Sequence, residues 1–386
     1  MQIGITGKPS SGKSSFFKAS TLADVKISPV PFTTLKPDTA IGYVTSKCVC
    51  KEFNVKCNPK HGYCTNGIRF IPVKLWDLPG IVKGAHEGRG LGLQFLDSVR
   101  QASILIQVVD SSGLTDEEGK PAAGCDPENE IKFLEEEIDL WFADVIKRAV
   151  EKFRTKLTTL SKSDLVNMLF QQLSGLEIEK HNIEQVSEKF PITDIEKFAR
   201  ELRKISKPII LAANKIDLKE SQENFAKLKE KYQNIVPTSA EAEIALKKAS
   251  EKGLVNYLSG GSFEIPNSTK LETSQLKALE FIKSNVIEKY GSTGVQTCLN
   301  KAVFELLNYI AVYPVADANK LIDKDGNVLP DVYLVPQNTT VKELAFKVHT
   351  ELGEKFICGI DARTKRRLAA DYQLKNNDVV EIAFAK

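Results

Sequence analysis

The chain has 386 residues, more than one average domain, and this length predicts two or three compact units. Hydrophobic residues make up 42% and charged residues 27% of the chain, which is typical of soluble globular proteins and excludes a disordered or fibrous class. The formal net charge of +3 is too small to indicate a nucleic-acid partner by itself.

We also find no apolar run that approaches the roughly 20 residues of a membrane span. The first residues form a strand pattern and lack the basic and apolar regions of a signal peptide. We therefore expect a cytoplasmic protein.

The first predicted strand, residues 3–6, leads into a glycine-rich loop and then a helical pattern. The spacing Gly7, Gly12-Lys13-Ser14 matches a P-loop, and the strand–loop–helix context is the one this motif requires. Its backbone N–H groups surround phosphates, Lys13 reaches the β- and γ-phosphates, and the Ser14 hydroxyl binds Mg²⁺. The predicted phosphate site comprises Gly7, Lys8, Pro9, Ser10, Ser11, Gly12, Lys13, Ser14 and Ser15.

Residues 31–34, Pro-Phe-Thr-Thr, lie between this helix and the next strand. In nucleotide switches a threonine in this place binds Mg²⁺ and contacts the γ-phosphate. We choose Thr34 over Thr33 for this role. The alternative is that these residues form a simple turn.

Four cysteines follow within a predicted hairpin between the second and third strands: Cys48, Cys50, Cys57 and Cys64. Four thiolates are a tetrahedral ligand set for Zn²⁺, although the spacing differs from a paired C-x-x-C motif. Two disulfides and four free thiols are the alternatives. The scattered Cys125, Cys298 and Cys358 are interpreted as buried thiols.

The segment Asp77-Leu-Pro-Gly80 follows a strand at residues 73–76. There we expect Asp77 to hold the magnesium shell and the Gly80 amide to meet the γ-phosphate. The next residue, Ile81, cannot form the hydrogen bond with which a glutamine orients water in Ras-type enzymes, so intrinsic hydrolysis should be slow. His86 is a candidate for the missing role, or only a local hydrogen-bonding residue. The predicted catalytic set is Lys13, Thr34, Gly80 and His86.

Further strands at residues 104–109, 209–213 and 235–237 alternate with helical patterns, which predicts a doubly wound α/β sheet with ligands at the carboxyl ends of its strands. Helical periodicity between residues 126 and 207 indicates a helical insertion. Asn214, Lys215 and Asp217 follow one strand, and the aspartate can accept two hydrogen bonds from guanine N1 and N2, which adenine cannot supply.

Thr238, Ser239 and Ala240 follow the next strand and fit the loop whose backbone N–H contacts guanine O6. Four boxes in this order, each at a strand end, predict a GTP-binding protein that hydrolyses GTP to GDP and phosphate.

The rest of the chain is predicted as helices over residues 240–258 and 274–310, followed by a small β, β, α, β, β unit. A hairpin pairs residues 321–322 with 328–335, and a helix begins at the capping box Thr340 to Glu343 and ends at Gly353. Strands follow near Ile357 and over residues 379–384. The basic run from Arg363 to Arg367 is either a contact for RNA phosphates or a solvated turn.

The predicted domains are a discontinuous G domain at residues 1–125 and 208–268, the helical insertion at 126–207, a helical connector at 269–311 and the last unit at 312–386. We expect a monomer, and the insertion either packs on the core or provides a partner surface.

With these motifs in view, the sequence resembles the Obg and YchF branch of P-loop GTPases of the translation-factor (TRAFAC) class, and most an archaeal YchF-like member. The resemblance is carried by residues 31–37, Pro-Phe-Thr-Thr-Leu-Lys-Pro, by the glycine-rich residues 84–92 and by the insertion. It implies a C-terminal TGS domain with a β-grasp fold, a hydrophobic residue at Ile81 and a ribosome or RNA partner.

Two residue patterns depart from this family. YchF proteins usually replace the guanine box by a variant that favours ATP, whereas Asn214, Lys215 and Asp217 are retained here, so we predict GTP. Ser10 stands where the family often has an asparagine associated with potassium, so potassium stimulation is not implied.

Three functional hypotheses follow. We favour a slow Mg²⁺-dependent GTPase switch linked to the ribosome or RNA. The alternatives are an NTPase of a stress or metabolic pathway without ribosome contact, and a nucleotide-stabilised binding scaffold with negligible turnover.

Overall fold

The computed structural model describes residues 1–21, 38–81, 84–86, 92–153, 161–266 and 271–385, with the backbone alone for residues 92–94. The strands are β1 Gln2–Thr6, β2 Thr39–Lys47, β3 Tyr63–Thr65, β4 Ile68–Asp77, β5 Ile104–Asp110, β6 Ile209–Asn214, β7 Ile235–Pro237, β8 Asn256–Tyr257, β9 Phe263–Glu264, β10 Tyr309–Val315, β11 Tyr333–Pro336, β12 Phe356–Asp361, β13 Arg367–Leu368 and β14 Val379–Phe384.

The helices are α1 Lys13–Thr21, α2 Gly92–Gln101, α3 Pro127–Glu151, α4 Lys162–Gln172, α5 Lys180–Lys189, α6 Ile195–Ser206, α7 Lys219–Lys231, α8 Ala240–Glu251, α9 Thr273–Ile282, α10 Glu288–Tyr290, α11 Val295–Asn300, α12 Val341–Val348 and α13 Thr350–Glu354. Two π-helical segments, Lys283–Ile287 and Lys301–Leu306, follow α9 and α11. None of the described helices combines the length and the apolarity that crossing a membrane requires.

The chain divides into two compact units. The first takes in residues 1–21, 38–40 and the described residues between 74 and 298. Its parallel strands are ordered β4-β1-β5-β6-β7, and β5 and β6 are buried along their whole length. Such burial on both faces explains why these strands are mostly apolar along their length rather than alternating between apolar and polar residues. The predicted strand positions and the α/β fold class are confirmed.

Helices α3 to α6 form the predicted helical region of this unit. The α3 helix begins at Pro127, and the Asp126 side chain caps it by accepting a hydrogen bond from the Glu128 backbone N–H at 2.9 Å. Apolar residues of α3 such as Ile138 share one buried cluster with Phe198 of α6.

The second unit contains residues 41–73 and 299–385. Its main sheet has the order β11-β10-β14-β12-β13, with β10 parallel to β14 and the other pairs antiparallel. The helix α12 covers this sheet through Val341 and Leu344, which cluster with Val380 and Ile382. A helix packed on a sheet with a parallel central pair is the predicted β-grasp unit, and the capping box at Thr340 is present.

Some predicted elements of the carboxyl-terminal half were wrong. The partner of β11 is β10, and residues 321–329 form a loop with an isolated bridge from Ile322 to Val328. Leu321 and Leu329 both have positive φ, which no apolar pattern signals. The predicted helix over residues 240–258 ends at Glu251, and the helices predicted up to residue 310 give way to β10.

The region between β2 and β4 packs in the second unit, against the carboxyl-terminal sheet. Arg69 is fully buried, and its guanidinium donates hydrogen bonds to the carbonyls of Leu329 at 3.0 Å and Pro330 at 2.6 Å. The cysteine-bearing segment therefore belongs to the core of this unit.

Candidate nucleotide-binding site

The predicted nucleotide boxes of the first unit meet at the carboxyl edge of its parallel sheet. Residues 7–15 follow β1, Asp77 ends β4, Asn214 ends β6 and Ser239 follows β7. Since parallel strands present their carboxyl ends at one edge, a single ligand at this edge can reach all four boxes.

Two glycines of the P-loop are required by the backbone. Gly12 has φ +89°, and an added Cβ would lie 2.2 Å from Nδ2 of Asn214. A Cβ on Gly7, at φ +156°, would lie 2.4 Å from the Val108 carbonyl oxygen. The loop is thus closed tightly against β5 and the Asn214 side chain, and only glycine fits at either position.

Asn214 connects three of the boxes. Its Nδ2 donates a hydrogen bond to the Ser11 carbonyl at 3.0 Å, and its Oδ1 accepts one from the Ala240 N–H at 3.1 Å. The asparagine is buried, so both bonds are shielded from water and fix the guanine loops relative to the P-loop.

Asp217 lies three residues after Asn214 and contacts the loop that follows β7. Its Oδ1 accepts a hydrogen bond from the Ser239 hydroxyl at 2.7 Å, and Ser239 also caps α8 by accepting from the Ala242 N–H at 3.3 Å. A carboxylate held in this way keeps further acceptor positions for donors on a base.

Asp110, which ends β5, is a site residue that the sequence analysis missed. Its carboxylate lies 2.8 Å from Nζ of Lys215 and also accepts from the hydroxyls of Ser112 and Thr115. Burial alone would raise the pKa of Asp110, but the hydrogen bonds from these partners outweigh it and lower the pKa. The sequence signal that could have identified Asp110 is its position at the end of a fully buried strand.

The phosphate side of the site brings Lys13 and Asp77 into contact as an ion pair. A Cβ on Gly80 would lie 3.9 Å from the Gly7 carbonyl oxygen, so the Asp77–Gly80 segment borders the P-loop. Ser14 is exposed in the first turn of α1. A hydroxyl and a carboxylate are the hard oxygen ligands that Mg²⁺ prefers, and the donor set therefore fits this ion. Thr33 and Thr34 lie outside the described residues.

Comparisons with known proteins agree with this arrangement. Residues 2–138 match the family model of the 50S ribosome-binding GTPase, residues 212–317 that of the Obg-like GTPase YGR210-like G4 motif-containing domain, and residues 321–383 that of the TGS domain. The chain is 46% identical over 392 residues to a GTP-binding protein of Methanocaldococcus jannaschii, covering 99% of each.

The chain belongs to the Obg/YchF-related GTP-binding proteins. A crystal structure of a GTP-binding protein from Pyrococcus horikoshii is similar over 100% of both chains, with 36% identity and a TM-score of 0.78. A protein of Bacillus subtilis named ribosome-binding ATPase YchF is 30% identical over 275 residues, which are 65% of this chain and 69% of that protein.

The side chain of the P-loop residue Lys8 points into the protein. Its Nζ donates hydrogen bonds to the carbonyls of Thr115 at 2.8 Å and Asp116 at 2.9 Å, and lies 3.6 Å from Glu130 Oε2. The Lys8 ammonium is therefore occupied by partners within the protein, and a contact of Lys8 with a nucleotide stays a prediction for its backbone alone.

Ile81 and His86 follow the Asp77–Gly80 box. Ile81 is 3% exposed and packs in the main apolar cluster of the first unit. His86 is held by Glu137 of α3, whose carboxylate accepts hydrogen bonds from His86 Nδ1 at 2.7 Å and from the Gly84 N–H at 2.8 Å. Burial would raise the pKa of Glu137, but these hydrogen bonds lower it. His86 is therefore hydrogen-bonded to the helical region through Glu137.

The four clustered cysteines lie in the second unit. Their sulfur atoms are all within 4.8 Å of one another, and all four are free cysteines rather than disulfides. His61, between Cys57 and Cys64 in the sequence, is outside this cluster, and its Nδ1 lies 2.6 Å from Asp331 Oδ1.

Proposed function

We propose that this protein is a Mg²⁺-dependent GTPase switch with a low intrinsic rate that acts with the ribosome or RNA. The observation that carries the proposal is the hydrogen-bonded arrangement of Asn214, Asp217 and Ser239 beside the P-loop. Asp217 would accept hydrogen bonds from N1 and N2 of guanine, and an adenine there would leave a carboxylate without its donors.

On the phosphate side, Lys13 balances charge on the β- and γ-phosphates, and the backbone of residues 7–15 donates hydrogen bonds. Ser14 and Asp77 would hold Mg²⁺, with Thr34 as a further ligand, and the Gly80 amide would contact the γ-phosphate. When bound, the ion neutralises charge that develops on the transferred phosphoryl group.

The low rate follows from Ile81. A buried aliphatic side chain has no group that orients water, so the water-positioning role falls to another residue or to a partner. His86 is our candidate within the chain. This observation also favours a second candidate function, a nucleotide-stabilised scaffold with negligible turnover.

The proposed nucleotide is GTP, whereas the Bacillus subtilis relative is named an ATPase. The retained Asn214, Lys215 and Asp217 support GTP, because the Asp217 carboxylate accepts one hydrogen bond from Ser239 and keeps acceptor capacity for the N1 and N2 donors of guanine.

The proposed ribosome link rests on the matched family descriptions and on two arginines. Arg363 is paired with Glu52, and Lys365 donates to the Ala318 carbonyl, whereas Arg366 and Arg367 are exposed. Arg366 precedes β13 and Arg367 begins it, and exposed guanidinium groups such as these can bind phosphate groups. A monomeric state and a cytoplasmic location complete the proposal.

The test is multiple-turnover phosphate release from GTP with and without ribosomal particles of a related cell. We compare the wild type with Arg366→Glu/Arg367→Glu and with the control Lys342→Glu/Lys375→Glu, which makes the same charge change at exposed positions of the second unit. Ribosomes should stimulate the wild type and the control by about tenfold or more, and the arginine variant much less, as in salt-sensitive phosphate binding.

Equal turnover with and without ribosomes in the wild type would contradict the ribosome link and leave an NTPase of another pathway. Turnover that is absent under both conditions, with GTP still bound, would favour the scaffold.

A further inference from the structure

The four clustered cysteines have the geometry of a metal site. The sulfur atoms of Cys48 and Cys57 are 3.9 Å apart, those of Cys50 and Cys64 are 4.0 Å apart, and all four lie within 4.8 Å of one another. Zinc–sulfur bonds of about 2.3 Å in a tetrahedron require sulfur atoms about 3.8 Å apart. Small side-chain rotations therefore suffice to close the cluster around one ion.

We propose that Cys48, Cys50, Cys57 and Cys64 bind one structural zinc ion. Four thiolates would fill the tetrahedral shell of one ion and leave no open position, and Cys48 and Cys50 are buried while Cys57 and Cys64 are half-buried. Closed sets of four protein ligands are typical of structural rather than catalytic zinc. The site is independent of the proposed nucleotide site.

The backbone around the ligands holds them in place. The Cys48 N–H donates to the Gly67 carbonyl at 2.8 Å, and the Val55 N–H donates to the Cys50 carbonyl at 2.9 Å. Asn54 adopts φ +51°, which turns the chain back toward the first two cysteines. The ligand arrangement is thus supported by contacts other than those between the thiols.

Two disulfides account less well for this geometry. A disulfide requires sulfur atoms about 2.05 Å apart within each pair and places no constraint on the distance between pairs. Here each nearest pair is almost twice that distance apart, while the two pairs are also close to each other. A shared ion explains both features.

The segment from Cys48 to Cys64 also contacts the carboxyl-terminal part of the second unit, which consists of residues 41–73 and 299–385. Cys48 and Cys50 share an apolar cluster with Tyr313, Leu329 and Val379. The Asn58 and Lys60 N–H groups donate to the Val328 and Pro330 carbonyls at 2.8 and 3.0 Å, and Arg363 pairs with Glu52 at 2.5 Å. We infer that the ion stabilises the surface on which the carboxyl-terminal sheet packs.

The test is elemental analysis of the full-length protein for zinc and iron, purified without chelators, with cobalt substitution as a second measurement. We compare the wild type with Cys57→Ser/Cys64→Ser, which changes the two less buried ligands, and with the control Cys125→Ser outside the cluster. The wild type and the control should contain one zinc per chain and, after exchange, give the absorption of tetrahedral cobalt bound to thiolates. The variant should lose both signals.

Three results on wild-type protein would overturn the proposal, even if the variant fails to fold. They are zinc far below one per chain, a mass that reports two disulfides without reductant, and iron in place of zinc. GTP affinity measured on the same samples separates this outcome from a failure of the nucleotide proposal, because the cysteines belong to the other unit.

Discussion

Glu130 on α3 has a carboxylate that is almost completely buried beside the P-loop residue Lys8. Its Oε2 accepts a hydrogen bond from the Asp110 N–H at 3.3 Å, and Oε1 has no hydrogen-bond partner in the described part of the chain. Burial raises the pKa of Glu130 to about 7, because Lys8 only partly compensates for the lost hydration.

This shift predicts a pH-dependent effect of Glu130→Gln. The folded state binds its proton more tightly than the unfolded state, so the stability from Glu130 is present below pH 4.5 and is lost as the pH rises to about 7. The amide has no such dependence. Relative to the wild type, the Tm of the variant should therefore be higher at pH 8 than at pH 5, by about 5 °C.

Differential scanning calorimetry at both pH values measures this difference. Glu136→Gln, which changes an exposed carboxylate on the same helix, is the control. A Glu130→Gln difference that is the same at pH 5 and pH 8 would contradict the pKa assignment.

At the scale of elements, local signals were predicted well and non-local ones were not. The helix α12 follows from the capping box at Thr340, and the parallel strands follow from short apolar runs, because both depend on neighbouring residues. The pairing of β10 with β14 joins segments that are distant in the sequence. The loop at Leu321 depends on a positive φ, which a leucine does not indicate in a sequence.

The capping box can be tested on its own. The Thr340 hydroxyl accepts a hydrogen bond from the Glu343 N–H at 3.3 Å, and the Glu343 carboxylate accepts from the Thr340 N–H at 2.7 Å. Thr340→Ala should destabilise the second unit by about 1 kcal/mol, since one helix donor loses its partner. Calorimetry should show a lower Tm for this variant than for Thr339→Ala, which keeps the box. Equal losses would show that the cap contributes nothing.

For the whole molecule, the sequence predicted the four nucleotide boxes and their order but not every contact between them. The motifs specify chemistry at strand ends, and the parallel sheet brings those ends to one edge. Three contacts depend on packing between segments that are far apart in the chain. They are the ion pair of Asp110 with Lys215, the hydrogen bond from Lys8 to Thr115, and the hydrogen bond between His86 and Glu137. The same holds for the packing of residues 41–73 in the second unit.

Selective binding of GTP is the central claim, and competition binding of GTP and ATP with Mg²⁺ tests it most directly. The wild type and the control Asp371→Ala, at an exposed position, should prefer GTP by about 100-fold or more, and Asp217→Ala should lose most of that preference. ATP binding as tight as GTP in the wild type, or a preference that survives Asp217→Ala, would contradict the role of Asp217 in reading guanine.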